Sequence, residues 1–301
     1  MTSCTQGPPP EYQRRIREAG AVVDMNLTQS LYAPLLADQR RDGVAMVPDI
    51  AYGQHARHRL DLYLPDPGSS STRPVLLFLH GGGFVRGDKA EKQNIGLHFA
   101  RAGFVVAVAN YRLAPAGSWP AGAEDVIAAF EWLHANVARH GGDANRIFIG
   151  GESAGAAHVA SATLMRRFHP QAGLQIAGMV LISGVYDVQL ERLARKQFRV
   201  PTPDPRNDVY FGPTGERDAE MSIVRNIDAA PVPTLITYAE LDPPQMQVQA
   251  GELFATLVTQ HGFTPEICVI RGHNHLTQVY AINTGDETLA APVSDFLRRH
   301  S

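Results

Sequence analysis

The chain has 301 residues and a formal net charge of -3, with 27 Lys and Arg against 30 Asp and Glu. So small an excess of acidic groups argues against nucleic acid or an anionic membrane surface as a partner. No apolar run approaches the length of a membrane span, and residues 1–10 lack the apolar core of a secretory signal. The chain is long enough for one α/β domain with a sizeable core.

Two cysteines, Cys4 and Cys268, lie far apart in the sequence. Cys4 belongs to a Pro-rich segment and Cys268 to an apolar, strand-like run, so we expect no disulfide. That expectation fits a reducing compartment and predicts a cytoplasmic protein. No cluster of cysteine and histidine has the short spacing of a metal site, and we expect neither a metal nor another cofactor.

The first elements predicted along the chain are an N-terminal helical arm and an early strand. Residues 1–10 are expected to be disordered, and Glu11–Arg41 has a helical spacing of apolar residues, with a break at Pro34. We assign the arm to residues 1–45 and expect it to pack over the rest of the domain. Leu60–Leu64 alternates in the manner of a strand.

Strands and helices then alternate to the end of the chain. Further strands are predicted at Pro74–Leu79, Phe104–Ala109, Ile147–Ile149, Gly178–Ser183, Pro233–Tyr238 and Glu266–Ile270. Helices are predicted at Glu91–Ala102, at Pro120–His140, from Ala154 onward, at Met246–Gly262 and at Asp286–Arg299. The alternation indicates a mostly parallel sheet of about eight strands flanked by helices, in a single α/β domain over residues 1–301. Residues 188–228 lack a clear period and are too many for a bare loop, which predicts a cap insertion.

The strand at Ile147–Ile149 runs into a Gly-x-Ser-x-Gly motif at Gly151–Gly155. A small-residue helix starts at Ala154, so the motif stands where a strand turns sharply into a helix. That turn exposes the hydroxyl of Ser153, and the N-terminus of the helix stabilises negative charge that develops beside it. A plain glycine-rich turn would lack this context, so we predict that Ser153 is a nucleophile.

A second glycine motif, His80-Gly-Gly-Gly-Phe84, ends a predicted buried strand. Glycines let the backbone approach a substrate closely and aim its N–H groups inward. We predict that the N–H groups of Gly82, Gly83 and Ala154 form an oxyanion hole. His80 itself is expected to brace the loop rather than to act as a base.

Acyl transfer also requires a base and an acid that orients it, and candidates for both follow predicted strands. His273 and His275 compete for the base, because both lie in the loop after the last strand and their spacing does not decide between them. Glu240 and Asp242 both qualify as the acid. The proline directly after Asp242 fixes the backbone there and favours Asp242. Asp187, after another predicted strand, is a weaker third candidate.

Together these motifs resemble the hormone-sensitive-lipase-like branch of the α/β-hydrolase esterases, over residues 58–299. The resemblance implies the α/β-hydrolase fold, with Ser153 as nucleophile, Asp242 as acid and His275 as base. The elbow carries Glu152 where many members of this branch have aspartate. The end of the chain is also similar to small bacterial feruloyl-esterase-like and arylformamidase-like members. The segments that carry the resemblance are His80–Phe84, Asn110–Pro115, Gly151–Gly155, Glu240–Pro243 and Gly272–His275.

The sequence therefore predicts a serine carboxylic-ester hydrolase that acts through an acyl-enzyme on small, soluble, short-chain or aryl esters. An arylformamidase or other amide hydrolase would use the same groups and is kept as an alternative. A non-catalytic, ligand-binding member of the fold is a second alternative, against which the histidine after the last strand argues. The expected partner is a small-molecule ester, without nucleic acid or membrane, and a homodimer is compatible with the sequence.

The arm and the cap are expected to frame an apolar pocket. Side chains predicted to line it are Phe84, Trp119, Val185, Tyr186, Tyr210 and Phe211. Residues 190–206 of the cap are polar and basic, unlike the apolar lid of a lipase that acts at lipid surfaces, which favours small substrates. These basic residues form either a solvated helix face or a patch that attracts an anionic ester. They are Arg192, Arg195, Lys196, Arg199 and Arg206.

Overall fold

The computed structural model of the chain describes residues 7–66, 72–197 and 206–301. Cys4, Arg199 and most of the predicted disordered tail lie outside the described residues. An eight-stranded sheet organises the described part of the chain. Its strands are β1 (Val44–Ala51), β2 (Arg59–Pro65), β3 (Arg73–Leu79), β4 (Val105–Ala109), β5 (Gly142–Glu152), β6 (Gly178–Ile182), β7 (Thr234–Leu241) and β8 (Glu266–Asn274).

The strands lie in the order β1-β2-β4-β3-β5-β6-β7-β8. β2 runs antiparallel to its neighbours β1 and β4, and the remaining pairs are parallel. The predicted mostly parallel sheet of about eight strands, flanked by helices, is confirmed. Because β3 and β5 to β8 point the same way, their carboxyl ends meet at one edge, where the loops that follow them can share a site.

Helices connect most of these strands, and helices also precede the first strand and follow the last one. They are α1 (Pro10–Ala19), α2 (Met25–Ala37), α3 (Gln93–Arg101), α4 (Ala121–Asn136), α5 (Ala154–Leu164), α6 (Val188–Gln197), α7 (Arg206–Phe211), α8 (Asp218–Met221), α9 (Pro244–His261), α10 (Thr277–Tyr280) and α11 (Ala290–Arg299). The last helix starts later than predicted, because Asp286 forms a turn in which its carboxylate accepts the N–H of Thr288 at 2.9 Å. Within the described residues, none of the helices is long and apolar enough to cross a bilayer.

Alternate residues of β3 enter two apolar layers on opposite faces of the sheet. Leu77 belongs to the layer that contains Phe130 of α4, together with side chains of α5 and α9. Leu76 belongs to the layer that contains Phe296 of α11, together with side chains of α3. Burial on both faces explains why the central strands read as continuous apolar runs in the sequence.

The N-terminal arm forms two helices, and the break between them differs from the predicted one. Gly20 follows α1 with a φ of 62°, in the left-handed region that suits glycine, and the Asp24 side chain caps α2 with a hydrogen bond of 2.9 Å. Pro34 lies inside α2, so the predicted break at Pro34 is wrong. The helix tolerates the lost backbone donor because Leu31 and Tyr32 are buried against the rest of the domain.

β1 is the strand whose position the sequence does not predict. It lies at the edge of the sheet, and each of its residues is exposed or half-buried. Pro48 and Asp49 interrupt its apolar pattern, and the register with β2 shifts between Val47 and Ile50. The half-buried residues that pack against the apolar layers, Val44, Val47 and Ile50, recur every third position, so the alternation typical of a strand is missing here.

Residues 188–228, the predicted cap insertion, contain α6, α7 and α8 in their described parts. Arg192 ties these helices together, because its guanidinium pairs with Asp218 at 2.6 Å and with Asp208, and also donates to the Gly212 carbonyl. Arg192 is therefore a structural cation and belongs neither to a solvated face nor to an attracting patch. The assignment of this segment as a separate cap stays a prediction.

Candidate active site

Ser153 occupies the turn between β5 and α5, with φ 52° and ψ -117°. A non-glycine residue in this region is strained, and the turn that imposes the strain presents the side chain outward. The flanking glycines are required by space. A Cβ on Gly155 would lie 2.4 Å from the Leu79 carbonyl oxygen, and one on Gly151 would lie 2.6 Å from a backbone carbon of Gly155. The Ser153 N–H donates to the Ile182 carbonyl at 2.8 Å, which ties the turn to β6.

His275 brings the loop after β8 to the hydroxyl of Ser153. Its Nε2 lies 3.0 Å from Ser153 Oγ, and its Nδ1 lies 2.6 Å from Oδ1 of Asp242, which directly follows β7. A carboxylate oxygen can only accept, so Nδ1 carries the proton and Nε2 is left to accept the proton of the serine hydroxyl. The structure thus places the three residues that the resemblance implies in one row of hydrogen bonds.

His273, the competing histidine, faces a different carboxylate. Its Nε2 lies 3.1 Å from Asp286 Oδ2, its Nδ1 lies 3.2 Å from Thr277 Oγ1, and its side chain is fully buried. His273 is the second-last residue of β8, whereas His275 lies in the turn that follows the strand, where the chain changes direction. The structure brings His275, and not His273, to Ser153.

The other candidate acids are engaged elsewhere. Glu240 accepts the N–H of Gly272 at 2.7 Å and lies 3.6 Å from the guanidinium of Arg17. Asp187 caps the start of α6 by accepting the N–H of Gln189 at 2.7 Å. Both carboxylates stabilise local structure, and the structure brings the favoured candidate, Asp242, to His275.

A second set of hydrogen bonds binds Oδ2, the carboxylate oxygen of Asp242 that does not face His275. This oxygen accepts the Ser183 hydroxyl at 2.6 Å and the Ala239 N–H at 2.7 Å. Gln278 Nε2 donates to Ser183 Oγ at 2.7 Å and to the His275 carbonyl at 3.2 Å. Sequence reasoning did not identify Ser183 and Gln278. The available signal was the position of Ser183 directly after β6, at the same edge of the sheet as the other site residues.

The loop His80–Phe84 supplies backbone donors next to Ser153. Gly82 has φ 136° and Gly83 has φ 60°, and a Cβ on Gly82 would lie 2.0 Å from the Arg86 carbonyl oxygen. In the described part of the chain, the N–H groups of Gly82 and Gly83 donate to no backbone carbonyl. Ala154 opens α5, where the first N–H groups have no partner within the helix. All three predicted donors are therefore available to an oxygen of a ligand.

His80 is buried beneath this loop, as a bracing role requires. Its Nδ1 donates to the Gly81 carbonyl at 2.7 Å, and its ring stacks on Tyr111 with the centroids 4.4 Å apart. Burial lowers the pKa of His80 to about 4, so the ring is neutral at pH 7. The second ring nitrogen lies 3.4 Å from Arg57 Nη2, which can donate to it in this tautomer.

A cavity of about 320 Å³ opens in front of Ser153 and His275. Two of the predicted pocket residues, Phe84 and Val185, lie in its wall. Segments outside the central sheet complete the wall, so the arm and the helices after β6 both face the site. They contribute Val23, Met25 and Gln29 from the arm and Glu191, Arg206 and Asn207 from residues 188–228.

The structure does not bring the other four predicted pocket residues to the cavity surface. Tyr210 stacks on Phe84 with ring centroids 4.4 Å apart, and Phe211 meets the same ring edge-on at 5.0 Å. Trp119 packs against this cluster, and Tyr186 belongs to the main core layer. Tyr210 and Phe211 therefore pack on the side of Phe84 that faces away from the cavity, where their apolar surface is buried by other side chains rather than left for a ligand.

The charges around His275 favour its protonated form. Burial lowers the pKa of His275, but the charge of Asp242 and the hydrogen bond to it outweigh this effect, and Glu152 adds to the rise while Arg206 opposes it. The net result is a pKa above the ordinary value of 6.5. Within the described residues, no group of three or more His, Cys, Asp or Glu side chains is placed to hold a metal ion.

A sequence model of the family described as the alpha/beta hydrolase fold matches residues 76–279. The chain belongs to the α/β-hydrolase family. The match includes the glycine loop, the turn at Ser153 and the loops that hold Asp242 and His275. The resemblance inferred from the motifs is confirmed at the level of this family.

Named relatives of this α/β-hydrolase include esterases. It is 30% identical over 242 residues to a probable isoprenylcysteine alpha-carbonyl methylesterase of Oryza sativa subsp. japonica, covering 75% of this chain and 57% of that protein. It is 27% identical over 278 residues to esterase LipQ of Mycobacterium tuberculosis, covering 89% of this chain and 65% of LipQ. The solved structure of a bacterial heroin esterase has a TM-score of 0.74 at 27% identity, over 96% of this chain and 92% of that one.

The matches to the plant methylesterases cover only part of those proteins. This α/β-hydrolase spans between 26% and 57% of the length of the methylesterases from Arabidopsis thaliana and Oryza sativa subsp. japonica.

The charges around His275 predict how its imidazole titrates. In an NMR titration of imidazole nitrogens, His275 should titrate above pH 6.5, whereas His80 should titrate near pH 4. Asp242→Asn removes the charge that raises the pKa of His275, so its midpoint should fall. A His275→Gln spectrum assigns the signal, and a midpoint that does not move in Asp242→Asn would contradict the electrostatic account.

Proposed function

We propose that the chain is a serine carboxylic-ester hydrolase, with Ser153 as nucleophile, His275 as base and Asp242 as the group that orients the base. The observation that carries the proposal is the row of hydrogen bonds from Ser153 Oγ through His275 to Asp242, at 3.0 and 2.6 Å. Relatives named as esterases support the reaction class. The intact row also argues against a non-catalytic, ligand-binding role.

The reaction begins when Ser153 Oγ attacks the ester carbonyl and His275 Nε2 takes the serine proton. Asp242 keeps the proton on Nδ1 and stabilises the imidazolium that forms. The tetrahedral intermediate collapses, and the leaving alcohol takes the proton from His275. A water molecule, activated by the same imidazole, then hydrolyses the acyl-enzyme and restores the serine.

The oxyanion of each tetrahedral intermediate accepts hydrogen bonds from the N–H groups of Gly82, Gly83 and Ala154. These donors are fixed by the backbone before the charge develops, so no reorganisation is needed during the reaction. One donor of this kind contributes about 3 kcal/mol to transition-state stabilisation.

The cavity favours a small ester as substrate. Its volume of about 320 Å³ lies near the lower end of the roughly 300–1,000 Å³ found for ligand pockets. Its wall mixes apolar side chains with charged ones such as Glu91 and Arg206, which suits a soluble short-chain or aryl ester better than a long acyl chain. None of the relatives described above is named a formamidase, so an ester is preferred to an aryl formamide.

Ser153→Ala should abolish hydrolysis of p-nitrophenyl acetate while the protein still folds. The substitution removes one oxygen at a cavity surface, and loss of a nucleophile of this kind lowers kcat by roughly 10⁴- to 10⁶-fold. Release of p-nitrophenol measures the hydrolysis by the variant, and a thermal unfolding curve measures whether the variant folds. Turnover above a few per cent of the wild-type rate would refute the assignment, as would labelling of a serine other than Ser153 by a fluorophosphonate.

His275→Ala should lower kcat by several orders of magnitude, whereas His273→Ala should mainly lower stability, because His273 pairs with Asp286 away from Ser153. The same ranking should hold for the acids, with Asp242→Asn far more damaging to kcat than Glu240→Gln. Steady-state kinetics and thermal unfolding of the four variants separate activity from stability. The reverse ranking within either pair would show that the base or the acid is misassigned.

The preferred substrates should be short esters. Among p-nitrophenyl esters of graded length, kcat/KM should be highest for the shortest acyl chains and fall steeply once the chain exceeds the cavity. Emulsified long-chain triglyceride should be a poor substrate, and its rapid hydrolysis would overturn the size limit. If an aryl formamide has a higher kcat/KM than the best ester, the substrate class is an amide rather than an ester.

A further inference from the structure

Glu152, the residue before Ser153, is a carboxylate buried at the end of β5, with 7% of its surface exposed. Its Oε1 accepts the N–H of Gly81 at 3.0 Å and lies 2.5 Å from Lys92 Nζ. One oxygen therefore binds both the glycine loop and a lysine, directly beside the serine. A buried carboxylate is tolerated only when such partners compensate for its lost hydration.

Lys92 is as deeply buried as its partner and stays charged. It ends a short 3-10 turn at Lys89–Lys92, and its Nζ lies 4.6 Å from the centre of the Tyr280 ring. Burial disfavours the ammonium, but the neighbouring Glu152 and Tyr280 outweigh this effect and raise the pKa of Lys92. A charged Lys92 can therefore hold Glu152 in one orientation at any pH near neutrality.

The cluster connects the segments that build the site. Tyr280 belongs to α10, which follows the loop of His275, and its hydroxyl lies 3.4 Å from Met25 Sδ in the arm. Glu152 belongs to the turn of Ser153, and Lys92 leads into α3. The ion pair thus stands where the glycine loop, the serine turn and the histidine loop meet.

Glu152 binds the first N–H group of the glycine loop. The Gly81 N–H donates to Glu152, whereas in the described part of the chain the next two N–H groups, of Gly82 and Gly83, donate to no backbone carbonyl. The contact is close, since a Cβ on Gly81 would lie 3.1 Å from Glu152 Cγ and 3.2 Å from Ser153 Cβ. Donors of an oxyanion hole act only when they are already in place, so a loop displaced by about 1 Å loses much of its effect.

We propose that the Glu152–Lys92 ion pair is a positioning device that fixes the glycine loop, through Gly81, at the distance from Ser153 that the oxyanion requires. This role rests on the proposed ester hydrolysis. The oxyanion exists in the transition states and not in bound substrate, so the pair affects kcat and leaves KM nearly unchanged. Glu152 and Lys92 touch no reacting atom and act through the loop.

The chain offers a matched control for this role. Lys89 begins the same 3-10 turn, is 7% exposed and pairs with the buried Asp61 at 2.7 Å. It does not line the cavity in front of Ser153. Lys89→Met and Lys92→Met therefore each remove one buried, ion-paired lysine from the same turn, and the second alone disturbs the glycine loop.

Lys92→Met and Glu152→Gln are expected to lower kcat for p-nitrophenyl acetate about ten- to a hundredfold, with KM within about threefold of wild type. Lys89→Met is expected to keep kcat within about twofold, although both lysine variants unfold at a lower temperature. The two substitutions that break the Glu152–Lys92 pair should not be additive, so the double variant should have nearly the kcat of the single ones.

A pH profile separates the direct charge effect of Glu152 on His275 from its effect on the position of the glycine loop. Asp242 and Glu152 both raise the pKa of His275, and Arg206 opposes them. Glu152→Gln removes one of the raising charges, so the base stays neutral to lower pH and the acid limb of kcat/KM moves down. Lys89→Met should leave the acid limb in place.

The outcomes distinguish failure of the positioning role from failure of the proposed ester hydrolysis. A wild-type chain without esterase turnover would overturn both. A wild-type chain that hydrolyses the ester, with Lys92→Met and Glu152→Gln no slower than Lys89→Met, would leave the function intact and overturn the positioning role. Should these variants not fold, Glu152→Asp keeps the charge and shortens its reach by one methylene, so it should lower kcat with the acid limb unmoved. Wild-type kcat in Glu152→Asp would overturn the role.

Discussion

The hydrogen bond between His275 and Asp242 joins two loops that leave neighbouring parallel strands, and the rest of the site is arranged around it. At 2.6 Å, it sets the tautomer of the imidazole and points Nε2 at Ser153. The bond can form because β7 and β8 end at the same edge of the sheet as β5. Ser183 and Gln278 hold its two members from behind, so carboxylate and imidazole are fixed to each other as well as to the sheet.

The two buried carboxylates next to the serine, Asp242 and Glu152, each bind two or more partners, which explains how these charges are tolerated there. Asp242 accepts the N–H of Ala239 and the hydroxyl of Ser183, and Glu152 binds Lys92 and the N–H of Gly81. An unpaired charge at this depth would cost several kcal/mol. Each of these hydrogen bonds therefore restricts a loop to one position, and the same contacts that permit burial also fix the geometry on which catalysis would depend.

The walls of the cavity come from a different part of the chain than its reactive groups. The sheet edge supplies Ser153 and His275, whereas the arm and residues 188–228 supply side chains such as Met25 and Arg206. Loops and added segments of this kind decide which ligands fit, while the sheet decides the chemistry. The predicted aromatic residues lie one layer behind, where Tyr210 stacks on Phe84 and stiffens the wall.

Backbone conformation at a turn and the periodicity of buried residues depend on residues that are close together in the chain. The sequence by itself therefore determined the parallel sheet, the glycine loop and the turn at Ser153. It did not reveal β1, because the half-buried residues of this edge strand recur every third position instead of alternating. It placed the break of the arm at Pro34, because packing of α2 is not a local property. The residue pattern alone also left His273 and His275 open, and the resemblance favoured His275. Only the tertiary structure decided which carboxylate each faces and that Lys92 meets Glu152. Those contacts join residues far apart in the chain, and their distances depend on how the whole sheet assembles.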